Sequence, residues 1–136
     1  MSDPVLAIVV PCYNEEEVLP ETIGRLRSLR EELIEERLIS PKSALLFVDD
    51  GSRDSTWKLI YKASLRYPEV KGLKLARNAG HQNALLAGLF AAKAHADCFI
   101  SIDADLQDDL SAIRAFVQKF REGYDIVYGV RRRRDT

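Results

Sequence analysis

The stretch Val5-Leu6-Ala7-Ile8-Val9-Val10, followed by Pro11, decides the fold class. All six residues before the proline are apolar, with no polar residue to mark an exposed face. A continuous apolar run of this length is typical of a strand that is buried on both faces of a parallel sheet. Because proline lacks a backbone N–H, we place the end of this strand at Pro11.

The chain that follows alternates between helical and extended patterns. Apolar residues at helical spacing indicate amphipathic helices, and short apolar runs between turn residues indicate buried strands. This alternation predicts an α/β fold with an open, mostly parallel sheet and helices on both faces. The predicted strands lie at residues 44–48, 70–75, 98–102 and 126–130, and three predicted helices lie at residues 16–36, 54–67 and 81–95. A fourth predicted helix has Ile113, Phe116, Val117 and Phe120 on one face and ends at Gly123. In the second helix, we expect Asp54 to be the cap and Trp57, Ile60, Tyr61 and Ser64 to form the buried side.

Composition limits the class of protein. The chain has 136 residues, of which 46% are hydrophobic, which is enough for one domain with a core. Its 20 Lys and Arg residues nearly balance 21 Asp and Glu residues, so no global positive field favours a nucleic-acid partner. Cys12 and Cys98 lie in no metal-ligand or redox spacing, and neither is expected to be a nucleophile. The sequence leaves a homo-oligomer open.

The segment Asp103-Ala104-Asp105-Leu106-Gln107 carries the strongest chemical signal. It follows the predicted strand at residues 98–102, and ligands of open α/β sheets bind at the carboxyl ends of strands. Two carboxylates and the Gln107 amide oxygen are hard donors that suit a divalent cation with open positions for phosphate oxygens. The alternative is that Asp105 caps the next helix.

Polar residues follow the other strands as well: Pro11 to Glu15, Asp49 to Ser52, and Arg77 to His81. The carboxyl ends of parallel strands open on the same edge, so we expect these groups to converge on one crevice. One of Asp49 and Asp50 is expected only to build the turn, and Asp49 is the stronger candidate for that role. His81 is open to two interpretations, as a pocket residue or as a structural one.

Taken together, these motifs resemble the family-two glycosyltransferases with the GT-A fold, and especially the polyprenyl-phosphate sugar transferases of the bactoprenol glucosyltransferase and dolichol-phosphate mannosyltransferase type. The resemblance runs in order along essentially the whole chain. It rests on Pro11-x-Tyr13-Asn14-Glu15, on Asp49-Asp50-Gly51-Ser52 with Asp54, on Arg77-Asn78-x-Gly80, and on Asp103-x-Asp105-Leu106-Gln107.

The resemblance implies a role for each matching residue. It places Pro11, Tyr13 and Glu15 in the nucleoside pocket and Asp50 against the base. It also implies that Mg²⁺ or Mn²⁺ joins the protein to the donor diphosphate, with Asp103, Asp105 and Gln107 as the metal-binding residues. Arg131 resembles an arginine on the diphosphate side of the site, and the alternative is that it belongs to a solvated arginine run at residues 131–134.

The function implied by the resemblance is inverting transfer of a sugar from a nucleotide sugar, with UDP preferred over GDP, to a polyprenyl phosphate at the cytoplasmic face of a membrane. Residues 1–136 are then expected to be the soluble, nucleotide-sugar-binding part of a longer enzyme, truncated at the C-terminus. The acceptor site and any catalytic base are expected beyond Thr136, so this part should bind the donor without turnover.

Two rival classes place their acidic residues elsewhere. A haloacid-dehalogenase-like phosphatase would use Asp103 as its nucleophile, but that motif normally follows the first strand. A receiver-like signalling domain has its acidic pair after the first strand and a lysine after the fifth, where this chain has Cys12 to Glu15 and arginines.

Overall fold

The computed structural model describes residues 2–106 and 110–123, in which strands and helices alternate along the chain. The predicted fifth strand at residues 126–130 lies outside the described residues. The elements are β1 (Leu6–Cys12), α1 (Leu19–Glu35), β2 (Ala44–Asp49), α2 (Thr56–Arg66), β3 (Val70–Lys74), α3 (His81–Ala92), β4 (Cys98–Ser101) and α4 (Ser111–Arg121).

The four described strands form one parallel sheet in the order β3-β2-β1-β4. The apolar run predicted a strand that is buried on both faces of a parallel sheet, and this is confirmed, because every residue of β1 is buried. β1 lies inside the sheet, where it pairs with β2 on one side and with β4 on the other. From β1 to β3 each new strand is added on one side of the sheet, whereas β4 is added on the other side of β1. The carboxyl ends of β1 and β4 therefore lie side by side. That is the kind of position at which open α/β sheets bind ligands.

Helices cover both faces of this sheet, as predicted. Alternate residues of β1, such as Leu6 and Ile8, join a large core with α1, α2 and α4. Ala7 and Val9 point to the opposite face, where they pack against α3 in a smaller core. The two-residue period of a strand thus divides one apolar sequence between two cores.

Helix α3 lies very close to the sheet because of its small residues. A Cβ atom built on Gly88 would lie 2.5 Å from Cγ1 of Val9 and 2.9 Å from Cγ2 of Val48. Gly88 therefore allows α3 to approach the sheet more closely than any other residue would. Helix α3 ends at Ala92 rather than at the predicted residue 95.

The predicted end of β1 was wrong, because the strand continues through Pro11 to Cys12. The main-chain oxygen of Val9 faces β4, where it accepts the Ile102 N–H at 3.1 Å. Pro11 lies two residues further along and faces the same side, beyond the last residue of β1 that pairs with β4. The missing N–H of Pro11 consequently costs no bond in the ladder.

Two helices also differ from their predicted patterns. Helix α1 begins at Leu19, because residues 16–18 form a turn that lies before it. In α2, Tyr61 is 52% exposed, and the buried residues are Thr56, Ile60 and Ala63. Of the predicted buried side, Ile60 is buried and Trp57 is partly buried against the core, so the prediction was wrong for Tyr61. None of the helices in residues 2–106 and 110–123 is long and apolar enough to cross a membrane.

Candidate functional site

A cavity of about 410 Å³ lies at the carboxyl edge of the sheet. The ends of all four described strands contribute to it, as the convergence of polar segments predicted. Its lining residues are Pro11, Cys12, Tyr13, Glu15, Asp50, Asn78, Gly80, His81, Asp103, Ala104 and Asp105. This cavity therefore brings together every described residue that the sequence nominated for donor or metal binding.

The loop after β1 is held in place by the loop after β2. Asn14 has a positive φ of 51°, and its N–H donates to Oγ of Ser52 at 2.9 Å. The side-chain oxygen of Asn14 in turn accepts the Arg53 N–H at 2.9 Å. The Glu15 N–H donates to Oγ1 of Thr56 at 2.8 Å. These reciprocal bonds fix the backbone that presents Tyr13 and Glu15 to the cavity.

Asp54 is a further link between these two loops. Its Oδ1 accepts the N–H of Thr56 at 2.9 Å, and its Oδ2 accepts the Glu16 N–H at 3.3 Å. The N-cap position of α2 is Ser55 rather than Asp54. Asp54 nonetheless satisfies a free N–H at the start of α2, which is the physical role that was expected of it.

A tight turn follows β4 and carries the two aspartates of the acidic motif. The Leu106 N–H donates to the main-chain oxygen of Asp103 at 3.0 Å, and Leu106 has a positive φ of 52°. Asp103 is buried, whereas Asp105 is exposed. Helix α4 begins at Ser111 with Leu110 at its N-cap, so the alternative interpretation of Asp105 as the cap of that helix was wrong.

The cavity is electrostatically negative on the side of Glu15. Partial burial raises the pKa of the Glu15 carboxyl above its ordinary value, and the nearby carboxylates of Asp105, Asp54 and Asp103 raise it further. Carboxylates that come together in this way repel one another until a cation or a proton neutralises them. The arrangement is suited to a positively charged ligand.

The donor set fits a hard divalent cation in part. Asp103 and Asp105 offer carboxylate oxygens, and Gln107, the third predicted ligand, lies outside the described residues. Among the residues that are described, no group of three or more His, Cys, Asp or Glu side chains is placed to hold a metal ion. Mg²⁺ is commonly bound through one or two carboxylates together with water and substrate phosphates. Asp103 and Asp105 can supply these carboxylate ligands.

Asp49 and Asp50 have different roles, as the sequence suggested. Asp49 is completely buried, and its Oδ1 accepts the Ser52 N–H at 3.2 Å, which closes the turn after β2. Its Oδ2 is buried with no hydrogen-bond partner within the described residues. Asp50 lines the cavity, and its two oxygens accept the N–H groups of Ala79 and Gly80.

His81 is the residue whose place in the site the sequence left undecided. It is the first residue of α3, it lines the cavity, and its Nε2 lies 3.9 Å from Oδ1 of Asp103. Cys12, Asn78, Gly80 and Ala104 also line the cavity; all four lie in segments that were predicted to follow strand ends, but none was given a role of its own. The segment from Arg77 to His81 connects β3, which ends at Lys74, to α3, and this position was the signal that could have given Asn78 and His81 a role.

Neither cysteine has the environment of a reactive thiol. Cys12 lies in the cavity wall, but it is 1% exposed, and burial together with the Glu15 and Asp49 carboxylates raises the pKa of its thiol far above the usual range. Burial and the Asp97 carboxylate raise the pKa of Cys98 to about 12. Arg131, predicted to contact the diphosphate, lies outside the described residues.

Several curated proteins are similar to this chain in sequence. The uncharacterized glycosyltransferase YkoT of Bacillus subtilis is 62% identical over 135 residues, which cover 99% of this chain and 40% of that protein. A prophage bactoprenol glucosyl transferase homolog of Escherichia coli is 36% identical over 96% of this chain and 40% of its own length. An undecaprenyl-phosphate 4-deoxy-4-formamido-L-arabinose transferase of Shewanella sediminis is 38% identical over 95% of this chain and 37% of its own length. The chain thus spans about two fifths of the length of these relatives.

Solved structures are similar in fold. S. aureus TarS 1-349 in complex with UDP-GlcNAc superposes with a TM-score of 0.61 at 22% identity, over 86% of this chain and 32% of that one. The mannosyltransferase PcManGT of Pyrobaculum calidifontis, in complex with GDP-Man and Mn²⁺, superposes with a TM-score of 0.57 at 21% identity, over 77% of this chain and 28% of that one. These neighbours establish the GT-A type of α/β fold.

The comparison with protein families covers nearly the whole chain. Residues 7–136 match the family described as Glycosyl transferase family 2. This match removes the two rival classes, the phosphatase and the receiver domain. It also agrees with the order β3-β2-β1-β4, in which the acidic motif follows β4 and not β1. The chain therefore belongs to glycosyl transferase family 2.

Proposed function

We propose that this chain is the nucleotide-sugar-binding part of a glycosyltransferase, and that the cavity at the carboxyl edge of the sheet is its donor site. The observation that carries the proposal is the convergence of Pro11, Tyr13, Glu15, Asp50, Asp103 and Asp105 on that one cavity. Tyr13 is 43% exposed, so its ring is available to a nucleoside. Pro11 and Glu15 would form the rest of that pocket.

The metal would lie at the two aspartates of the acidic motif, whose carboxylates are also near Glu15. We propose that Asp103 and Asp105, together with Gln107, hold Mg²⁺ or Mn²⁺ against the donor diphosphate. A bound divalent cation would stabilise the negative charge that develops on the leaving nucleoside diphosphate. The two aspartates would therefore act electrostatically and not as nucleophiles. The complex of PcManGT with GDP-Man and Mn²⁺ supports this choice of cofactor.

Two more specific proposals concern the acceptor and the nucleobase of the donor. Relatives named for bactoprenol and undecaprenyl phosphate support a polyprenyl-phosphate acceptor, which the whole protein would use at the cytoplasmic face of a membrane, with inversion at the sugar. We propose uracil as the preferred nucleobase, because the sequence resembles the bactoprenol glucosyltransferases more than the dolichol-phosphate mannosyltransferases. Arg131 stays a predicted contact to the diphosphate. The acceptor pocket and any catalytic base would lie beyond the donor-binding part.

The proposal can be tested by thermal denaturation with a panel of ligands. Because a ligand that binds only the folded state raises its stability, UDP and UDP-glucose should raise Tm in the presence of Mn²⁺ and much less in EDTA. GDP should have the smaller effect. The absence of any nucleotide-dependent shift, with or without Mn²⁺, would contradict the assignment of the cavity as a donor site.

A further inference from the structure

The segment at residues 77–80, which we call the 77–80 loop, connects β3 to α3 and borders the cavity. Both carboxylate oxygens of Asp50 bind its backbone. Oδ1 of Asp50 accepts the Ala79 N–H at 2.7 Å, and Oδ2 accepts the Gly80 N–H at 3.1 Å. Asp50 is 3% exposed although it lines the cavity. Most of its surface is therefore in contact with protein.

The 77–80 loop is also pressed against the residue that follows Asp50. Gly51 has a φ of +71°, and a Cβ atom built on it would lie 2.3 Å from the backbone N of Asn78 and 2.5 Å from the carbonyl carbon of Arg77. Only glycine allows this approach, because the clash is with backbone atoms that cannot rotate away. The turn after β2 is thus shaped to receive the loop after β3.

The loop in turn carries groups that face the cavity. Asn78, Gly80 and His81 all line it, and Nε2 of His81 lies 3.9 Å from Oδ1 of Asp103. On the side away from Asp50, the Asn83 amide donates to the main-chain oxygen of Ala79 at 2.8 Å. The peptide between Ala79 and Gly80 is thus held on both sides, its N–H by Asp50 and its oxygen by Asn83. The position of His81, the next residue, depends on that peptide.

We propose that Asp50 is a positioning residue, which holds the 77–80 loop and the start of α3 so that Asn78 and His81 face the diphosphate side of the cavity. This inference rests on the proposed function, and it adds a second role to the contact with the nucleobase that the sequence predicted for Asp50. Each oxygen of Asp50 accepts one backbone N–H of the 77–80 loop, and the almost fully buried carboxylate is therefore held firmly against that loop. Loss of Asp50 should then affect binding through the loop as well.

The first measurement needs no ligand. Amide hydrogen exchange reports local opening of a segment separately from global unfolding. In Asp50→Ala, the amides of Ala79 and Gly80 should exchange about tenfold faster or more, because each loses a charged acceptor. The amide of Phe47, in the centre of β2, should keep its protection. Asp50→Asn keeps one acceptor oxygen and should give intermediate exchange, and it serves as the conservative variant if the alanine variant does not fold.

The second measurement uses two probes, UDP and inorganic pyrophosphate, each with Mn²⁺. Pyrophosphate has no base, so a residue that only reads the base cannot affect its affinity. If Asp50 positions the loop, Asp50→Ala should weaken the binding of pyrophosphate as well as that of UDP, and Asp50→Asn should weaken both by less. Asn83→Ala, which removes the other support of Ala79, should change both affinities in the same direction.

Two results would overturn the inference. One is unchanged exchange of the Ala79 and Gly80 amides in Asp50→Ala. The other is a loss of UDP affinity with pyrophosphate affinity unaffected, which would assign Asp50 to the base. If neither probe binds the unmodified protein, the proposed function fails, and the exchange measurement alone then decides whether Asp50 holds the loop.

Discussion

Oγ1 of Thr22 on α1 donates a hydrogen bond of 2.5 Å to the main-chain oxygen of Ala104, the residue between the two aspartates of the acidic motif. Both residues are buried, and 82 positions separate them in the sequence. A helix of the core therefore holds the turn that carries Asp103 and Asp105. The geometry of the candidate metal site is in this way connected to the packing of α1 on the sheet.

Replacement of Thr22 by valine should damage both stability and the site. The two side chains have nearly the same shape, but valine cannot donate, and it leaves the buried oxygen of Ala104 without this donor. Loss of such a partner costs about 1–3 kcal/mol, so Thr22→Val should lower the free energy of unfolding by about that amount in urea denaturation. It should also weaken Mn²⁺-dependent binding of UDP, because the acidic turn is no longer held.

Thr22→Ser is the matched control for this prediction. Serine keeps the hydroxyl and loses only a methyl group, so it should keep most of the Mn²⁺-dependent affinity. Equal affinities in the serine and valine variants would mean that the hydrogen bond to Ala104 has no part in shaping the site.

A second prediction concerns the two carboxylates themselves. Asp103→Asn and Asp105→Asn should each weaken UDP binding in Mn²⁺ by about tenfold or more, because an amide is a poorer ligand for a hard cation than a carboxylate is. Binding in EDTA should change little. Titration calorimetry with and without Mn²⁺ measures the difference, and circular dichroism checks that the fold is retained.

Glu35→Gln provides the control for charge alone. Glu35 is an exposed residue at the end of α1 and is not in the cavity wall, so its neutralisation removes one negative charge without touching the site. If both aspartate variants bound UDP in Mn²⁺ as tightly as Glu35→Gln does, the acidic motif would have no role in metal-dependent binding.

The third prediction uses two helical glycines with opposite surroundings. Gly88→Ala would place its Cβ 2.5 Å from Val9, and overpacking of this kind costs ~1–3 kcal/mol. At Gly24 on α1, no described atom apart from its chain neighbours and the adjacent backbone of α1 lies within 4 Å of a built Cβ, so alanine should gain the ~1 kcal/mol of its better helix propensity. In thermal denaturation, Gly88→Ala should lower Tm and Gly24→Ala should raise it. A rise in both would show that α3 can move away from the sheet at little cost.

Local patterns predicted most of the fold, because each strand and each long helix is encoded in neighbouring residues. The run from Val5 to Val10 identified the central strand, and the helical spacing of Leu19, Ile23 and Leu26 identified α1. Local patterns could not show where an element ends when its end depends on pairing with a neighbouring element. Pro11 stays in β1 because β4 stops pairing at Val9, and this is a property of another part of the chain.

The same reasoning explains what was found and what was missed in the candidate site. Strand ends in a parallel sheet share one edge, so the meeting of Asp50 with Asp103 and Asp105 was predictable. The partners of Asp50 were not, because its bonds to Ala79 and Gly80 depend on the close approach of two loops at Gly51. Likewise, the 3.9 Å contact between His81 and Asp103 requires the position of α3, which no local pattern encodes.

The fourth prediction is a dependence of stability on pH that originates at Glu15. Burial and the carboxylates of Asp105, Asp54 and Asp103 raise the pKa of Glu15 in the folded protein above its value in the unfolded chain. The folded state therefore binds a proton at Glu15 more tightly than the unfolded state does. As pH rises from the ordinary glutamate pKa of 4.5 through the raised pKa, the folded state loses this advantage, and stability falls.

Replacement of Glu15 by glutamine should remove this penalty at neutral pH. We expect Glu15→Gln to raise Tm at pH 7, where the native carboxyl is charged, and to change Tm much less at about pH 3.5, where it is protonated in both states. The same variant should weaken nucleotide binding, because Glu15 lines the cavity, and such an exchange of stability for function is common at binding sites. Glu35→Gln, measured in parallel, corrects for the loss of one negative charge. An equal gain of Tm at both pH values would show that the effect arises from packing or helix propensity and not from the repulsion among the cavity carboxylates.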